Sequence, residues 1–384
     1  MIKVALVRGK YLNNFEGQNY IFDKKKIAVT GFSSLFPFHK KFPFPVVKLP
    51  SLVDLGINRL MEKGIKYLTN RVLGDGQILF GLENYSRFFD IFDTADPHYF
   101  YSYQLAKLKA KNLIKKLMVT YCETIPFNNE SVAKKKFIKY FTLKWADLVI
   151  CHSQKSKEAL IREGVDLKKI EILKLGVDLK KFKAKKRKKK NDKKNFEILF
   201  VGRLVKEKGI IDLYQAFKEI KKGKDKIKDK ITLRVVGDGD LKKYLIERIK
   251  DDQLEKEVKI ESRVYEKMPE VYQQADLLVV PSKTTRTWEE QYGMVLIEGM
   301  ASGLPIIAYK SGGAIGENLG QGGIKIKEGD IRGLIEAIVF LIKDEKMRLK
   351  LGKMGKERAK KYFDAAKTAL KLEKIYEKLI GFNL

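Results

Sequence analysis

The stretch ILFVGRLVKEKG, Ile198 to Gly209, decides the fold. An apolar, β-branched run reaches Gly202, Arg203 follows at once, and Lys208 comes five residues later at the start of an amphipathic segment. A short strand that passes through a glycine turn into a helix is the repeating unit of a parallel sheet covered by helices.

The same unit recurs on both sides. Downstream, strands are expected at Glu197 to Val201, Ile231 to Val236, Val258 to Ile260, Leu277 to Val280 and Pro305 to Ala308. Helices are expected at Ile210 to Ile220, Leu241 to Lys250, Met268 to Gln274, Val295 to Ala301 and Ile331 to Ile342, where apolar residues fall at helical spacing. Upstream, the chain opens with a strand at Ile2 to Val7 and continues with strands near Ile27 to Val29, Asp90 to Phe92, Leu117 to Thr120 and Leu148 to Cys151. The pattern predicts an α/β protein of two doubly wound, Rossmann-like domains facing one another across a cleft. Ligands should bind outside the carboxyl ends of the strands.

The sharpest break is AKKRKKKNDKK, Ala184 to Lys194, which has no apolar period and reads as an exposed linker. It divides the chain into an amino-terminal domain, 1–183, a basic linker, 184–195, a carboxyl-terminal domain, 196–363, and a closing segment, 364–384. Lys and Arg number 79 against 48 Asp and Glu in 384 residues, a formal charge of +31. That excess admits nucleic acid, an anionic membrane surface or a phosphate-bearing small molecule as partners, and equally a lysine-rich background with no function. Nucleic acid is disfavoured, because no recognition-helix, zinc or RNA-binding signature occurs. Cys122 and Cys151 are too few for a disulfide framework, and His39, His98 and His152 are not paired at metal-ligand spacing. No metal site and a cytoplasmic location, peripheral to the membrane if the basic surface meets one, are the expectation. The opening apolar run, Val4 to Val7, ends at Arg8, too early for a signal-peptide core.

Arg203 and Lys208 place two fixed cations at a strand's carboxyl end, a planar fork and a point charge that together suit a diphosphate. In EEQYGMVLIEGMASGLPIIA, Glu289 to Ala308, Gly293 stands where a helix begins, and Glu290 and Glu298 flank it. Free N–H groups at such a start, with the helix dipole, form an anion site. Glu298, one turn in, is placed to accept from two vicinal ribose hydroxyls; Glu290 would face the ligand beyond the phosphates. Asp238-Gly-Asp240 lies between a strand and a helix and reads as a turn with a helix cap rather than a metal motif.

Taken jointly, VGRLVKEKG (201–209), VVGDGDLKKYL (235–245), ADLLVVPS (275–282), the Glu290 and Glu298 pair and SGGAIGE (311–317) resemble the retaining glycosyltransferases of family four, which have the two-domain GT-B fold. HSQKSKEALIREGV (152–165) and LKLGVDLKKF (173–182) resemble that family's run into the linker. The resemblance implies transfer of a hexose-like sugar from a nucleotide-sugar donor, without metal or cofactor, to an acceptor saccharide or lipid-linked saccharide. It implies that Arg203 and Lys208 bind the diphosphate, that the backbone of Gly293, Met294 and Val295 holds the phosphates, that Glu298 binds the ribose and that Glu290 contacts the sugar. Val236, Arg263 and Val264, at loops after neighbouring strands, would line the base. A sugar-phosphate synthase or phosphorylase shares these features; a non-catalytic nucleotide-sugar binder or a nucleic-acid-binding protein is the alternative of another class.

The amino-terminal half matches less closely. VRGKYLNNFEGQNY (7–20) resembles the family's glycine loop, with Gly9, Asn13 and Glu16 expected to be exposed at its tip. In FDTADPHYFYSYQ the family's usual histidine position falls on Ala95; Asp96 is the preferred sugar contact, and His98 is either a polar group near the sugar or an ordinary surface residue. Tyr121, Glu123 and Phe127 are expected at another strand end facing the cleft. Residues 31–49, GFSSLFPFHKKFPFPVVKL, mix aromatics, prolines and lysines without a period, and read as a membrane-surface contact or a packed loop.

Overall fold

The computed structural model describes residues 1–56, 59–184, 195–223 and 231–381, so the basic run 185–194 lies outside the described residues. The chain forms two compact units, one of residues 1–176 with 365–384 and one of residues 177–364.

In the first unit seven parallel strands, β1 (Ile2–Val7), β2 (Ile27–Ser33), β3 (Val46–Lys48), β4 (Ile91–Ala95), β5 (Lys116–Tyr121), β6 (Leu148–Cys151) and β7 (Ile170–Ile172), stand in the order β3-β2-β1-β4-β5-β6-β7. Alternation sorts their side chains onto two cores: Ala5 and Val7 join Phe92, Leu117 and Val119 on one face, whereas Val4 and Leu6 join Ile91, Met118 and Ile150 on the other. The last helix, Ala365–Leu379, covers the second face with Leu372 and Tyr376.

The second unit has six parallel strands, β8 (Phe196–Val201), β9 (Ile231–Val236), β10 (Val258–Glu261), β11 (Leu277–Val280), β12 (Ile306–Tyr309) and β13 (Ile324–Ile326), in the order β10-β9-β8-β11-β12-β13. Helix Ile210–Lys222 buries Ile210, Leu213, Tyr214, Phe217 and Ile220, a helical stripe that packs in one core with Leu233 and Val235 of the sheet and with Leu334 and Ile338 of helix Ile331–Lys343. The Asp330 side chain caps that helix by accepting from the Gly333 N–H at 2.8 Å.

Every expected strand is present; β2 runs four residues and β4 three residues past the expected end, and the others lie within one residue of their expected bounds. Three additional strands, β3, β7 and β13, are three residues long and lie at sheet edges, where a period of two has too few repeats to show. The segment 31–49 is corrected accordingly: its first three residues finish β2 and its end supplies β3, pairing Gly31 with Val46.

Candidate functional site

In each sheet the strand order reverses beside the first strand, at β1 and β4 and again at β8 and β11. A doubly wound sheet opens a crevice outside the carboxyl ends of such a pair.

In the second unit this point is built by the stretch that follows β8. Gly209 has φ 67°, and a β-carbon there would lie 1.8 Å from the carbonyl oxygen of Pro281, so only glycine lets this loop close on the end of β11. The closure brings Lys208 to Glu290. The Lys208 ammonium donates to Glu290 Oε2 at 2.7 Å, the Ser282 hydroxyl donates to the same oxygen at 2.7 Å, and the ammonium stands 4.7 Å from the centre of the Trp288 ring. Arg203 is largely exposed, its guanidinium 3.5 Å from Glu207. The two cations expected on one diphosphate are thus differently held, one paired and half-buried, the other at the surface.

Next to Glu290 the helix Met294–Ala301 begins at Gly293, which takes the left-handed conformation (φ 73°, ψ 55°) and offers no side chain as a cap. The first amide groups of the helix, at Met294 and Val295, therefore have no side-chain cap, as an anion site requires. Glu298 is buried, and its two oxygens accept from the hydroxyls of Tyr265, at 2.9 Å, and Tyr272, at 2.6 Å. Burial pushes its carboxyl up to about 7, against the pull of the two phenols. Neither tyrosine was apparent as a partner from sequence, although Tyr265 directly follows Val264.

Arg263 and Val264 lie in the exposed loop after β10, where Arg263 pairs with Glu261 at 2.7 Å. Val236 is the last residue of β9, where the expected strand also ends; it is buried, and its carbonyl accepts from the Gly202 N–H. Asp238 accepts from the Gly239 N–H at 2.7 Å and holds the turn, but the N-cap of the following helix, Lys242–Asp251, is Leu241, without a capping side chain. Among the described residues no group of three or more His, Cys, Asp or Glu could hold a metal ion.

In the first unit the corresponding point is occupied by a residue that sequence reasoning passed over. Arg8, the first residue after β1, is buried and donates to Glu16 at 2.7 Å and to Asp93 at 2.9 Å, and Tyr376 of the last helix donates to the other oxygen of Asp93 at 2.7 Å. Gly9, Asn13 and Glu16 are consequently not exposed at a loop tip. Gly9 and Asn13 are buried; Asn13 accepts from the Glu16 N–H at 2.8 Å to cap a one-turn helix, and Glu16 turns inward to neutralise Arg8. An unpaired guanidinium could not be buried, and this pairing pulls the loop in.

Asp96 accepts from the Cys122 N–H at 2.9 Å, and burial raises its carboxyl to about 7. His98 is buried rather than superficial, 4.5 Å from Tyr99, and burial together with Lys135 and Lys139 holds its imidazole well below the usual value. Ala95 ends β4 and its carbonyl accepts from Tyr101. Glu123 is buried within its own turn, taking the N–H groups of Thr124 and Ile125 and the amides of Asn128 and Asn129. Tyr121 and the Phe127 N–H both donate to Glu163, which also pairs with the buried Lys139 at 2.7 Å. These contacts account for the fold of that segment by themselves.

Residues 181–358 match the family model for glycosyl transferases group 1, and residues 75–181 match that for glycosyltransferase family 4. The two matches adjoin and run through most of the chain. Between them these matches assign residues 75–358 to the group 1 and family 4 glycosyltransferases. Among similar proteins, an uncharacterised glycosyltransferase of Methanocaldococcus jannaschii is 32% identical over 47% of this chain and 48% of its own length. The capsular polysaccharide biosynthesis glycosyltransferase CapM of Staphylococcus aureus is 32% identical over 54% of this chain and 52% of its own length. The chain thus spans about half the length of these curated relatives. Among solved structures, Anabaena HepE in complex with UDP superposes with a TM-score of 0.73 at 18% identity, covering 99% of this chain and 100% of that one. Sucrose-phosphate synthase from Thermosynechococcus elongatus gives 0.74 at 19% identity, covering 100% of both chains. The fold of this chain is therefore GT-B, two Rossmann-like units of seven and six parallel strands.

Proposed function

We propose that the protein is a metal-independent, retaining hexosyltransferase that moves a sugar from a nucleotide-sugar donor to a hydroxyl of a saccharide or lipid-linked saccharide acceptor. The observation that carries this reading is the cluster of Lys208, Ser282 and Glu290 at the β8 and β11 strand ends, beside the uncapped start of helix Met294–Ala301.

Cleavage of the bond between sugar and diphosphate develops negative charge on the leaving group. Lys208, Arg203 and the helix start stabilise that charge, and interactions that strengthen as charge develops lower the barrier. On donor binding, Lys208 shares its charge between Glu290 and the phosphate, which leaves the Glu290 carboxylate to take hydroxyls of the transferred sugar. Glu298, oriented by Tyr265 and Tyr272, retains a second lone pair on each oxygen for ribose hydroxyls. Front-side attack lets the departing phosphate take the acceptor's proton, so the chain supplies no nucleophile.

HepE has been crystallised with UDP and with UDP-glucose, which makes UDP-hexoses the first donors to test. A thermal-shift screen of nucleotide sugars without added metal checks the reading, since a donor at about a hundred times its Kd stabilises the fold by about 2.7 kcal/mol. Transfer or slow hydrolysis of the stabilising donor supports it; no shift with any donor refutes it.

A further inference from the structure

Resting on the donor-site reading above, we propose that Trp288 is a positioning residue: its ring holds the Lys208 ammonium in place while that cation turns from Glu290 to the donor phosphate. Lysine carries its charge on a flexible four-carbon stem, so a Lys that must meet a ligand ordinarily loses rotamer freedom when it does. Lys208 has given up much of that freedom in advance. It is half-buried, and its ammonium donates to Glu290 Oε2 at 2.7 Å. The same ammonium stands 4.7 Å from the centre of the Trp288 ring, within the reach of a cation–π attraction.

The two contacts differ in kind. Glu290 competes with a phosphate for the ammonium N–H groups, and the Ser282 hydroxyl already donates to the same oxygen at 2.7 Å, so that oxygen keeps a partner when the cation turns away. The ring attracts the charge through its face, whichever way the N–H groups point. Its hold therefore persists when they turn to the ligand.

The chain fixes that ring. Residues 284–287 are exposed, yet the loop they form is tethered at both ends. The Lys283 N–H donates to the Glu207 carbonyl at 2.8 Å, directly beside Lys208, and the Lys283 ammonium donates to the buried Asp212 at 2.6 Å. Thr284 gives both its N–H and its hydroxyl to Glu328, at 2.8 and 2.6 Å. The turn then closes on Trp288 itself, whose carbonyl accepts from the Thr285 N–H at 2.7 Å. Exposed loops ordinarily move more than the elements they connect. These tethers make Trp288 a fixed wall, and a fixed wall lowers the cost of ordering the side chain it holds.

Kinetics with the donor that stabilises the fold separate a positioning ring from mere bulk. Trp288→Leu, apolar but without a π face, should lower kcat/KM about tenfold, or about 1.4 kcal/mol. Trp288→Phe, which keeps a face, should stay within about threefold of wild type. In a Lys208→Met background Trp288→Leu should cost less than about twofold further, because the ring acts through the ammonium. Circular dichroism and thermal unfolding establish that each variant is folded. Trp145 and Trp288 are the two tryptophans of the chain, so Trp145→Phe leaves the ring as sole reporter, and its emission should shift at saturating donor; should Trp288→Leu not fold, this measurement decides. Equal kinetics of Trp288→Leu and Trp288→Phe, an undiminished effect of Trp288→Leu without Lys208, or unaltered Trp288 emission with donor bound would overturn the proposal. Wild-type turnover by Lys208→Ala would instead remove the donor-site assignment itself, whereas an impaired Lys208→Ala beside a wild-type Trp288→Leu removes the role of Trp288 alone.

Discussion

Glu298→Gln should make the second unit's stability less sensitive to pH. The Glu298 carboxyl is buried, with two phenols donating to it, and sits at about 7 against an ordinary 4.5. Because the folded value is the higher one, the native state takes up the proton. The stability attached to the neutral carboxyl is whole below about pH 4.5 and is lost as pH climbs to about 7. A rise of that size is worth about 3 kcal/mol at 1.36 kcal/mol per pH unit. Glutamine keeps the shape and a carbonyl acceptor but cannot ionise. Thermal unfolding followed at intervals from pH 4.5 to 8.5 should therefore show the variant gaining on wild type through the window and then holding a constant lead, on the order of 6–12 °C for a unit of this size. Asp96, in the other unit, also sits at about 7, but its slope is common to both proteins and cancels in the difference. A difference in Tm that is the same at pH 5 and pH 8 would refute the reasoning.

Lys208→Ala should lower donor affinity or turnover by about tenfold or more, as loss of a charge-assisted contact does, read from kcat/KM with the stabilising donor; wild-type kinetics would sink the assignment. Arg8→Met removes a guanidinium held by Glu16 and Asp93 and strands the buried Asp93 carboxylate, at a cost of about 3–5 kcal/mol in chemical denaturation, with the loss moderated at low pH where that carboxylate protonates. Gly209→Ala forces a β-carbon onto the Pro281 carbonyl at a left-handed position and should cost about 3 kcal/mol or more, visible as lost soluble yield. Gly64→Ala, in the interior of a helix with no atom within 4 Å of the added carbon, should instead stabilise by about 0.5–1 kcal/mol in the same assay.

The sequence by itself determined the two sheets, the strands near their observed bounds and the glycine turn at 202–209, because period, turn chemistry and β-branching are local properties. It also marked Gly293 as the start of a helix and Lys208, Glu290 and Glu298 as residues of interest. Only the tertiary structure decided what those side chains meet. Lys208 and Glu290 lie 82 residues apart and are joined by a loop that closes because Gly209 fits against Pro281. Glu298 acquires Tyr265 and Tyr272, 33 and 26 residues away, and with them its altered proton affinity. The burial of Gly9 and Asn13 and the inward turn of Glu16 were illegible for the same reason. Both depend on Arg8 meeting Asp93 from a neighbouring strand and, through it, Tyr376 from the last helix, 283 residues further on. A residue's charge can be read in the sequence, but whether that charge is paired, buried or exposed depends on distant neighbours that only the folded chain brings together.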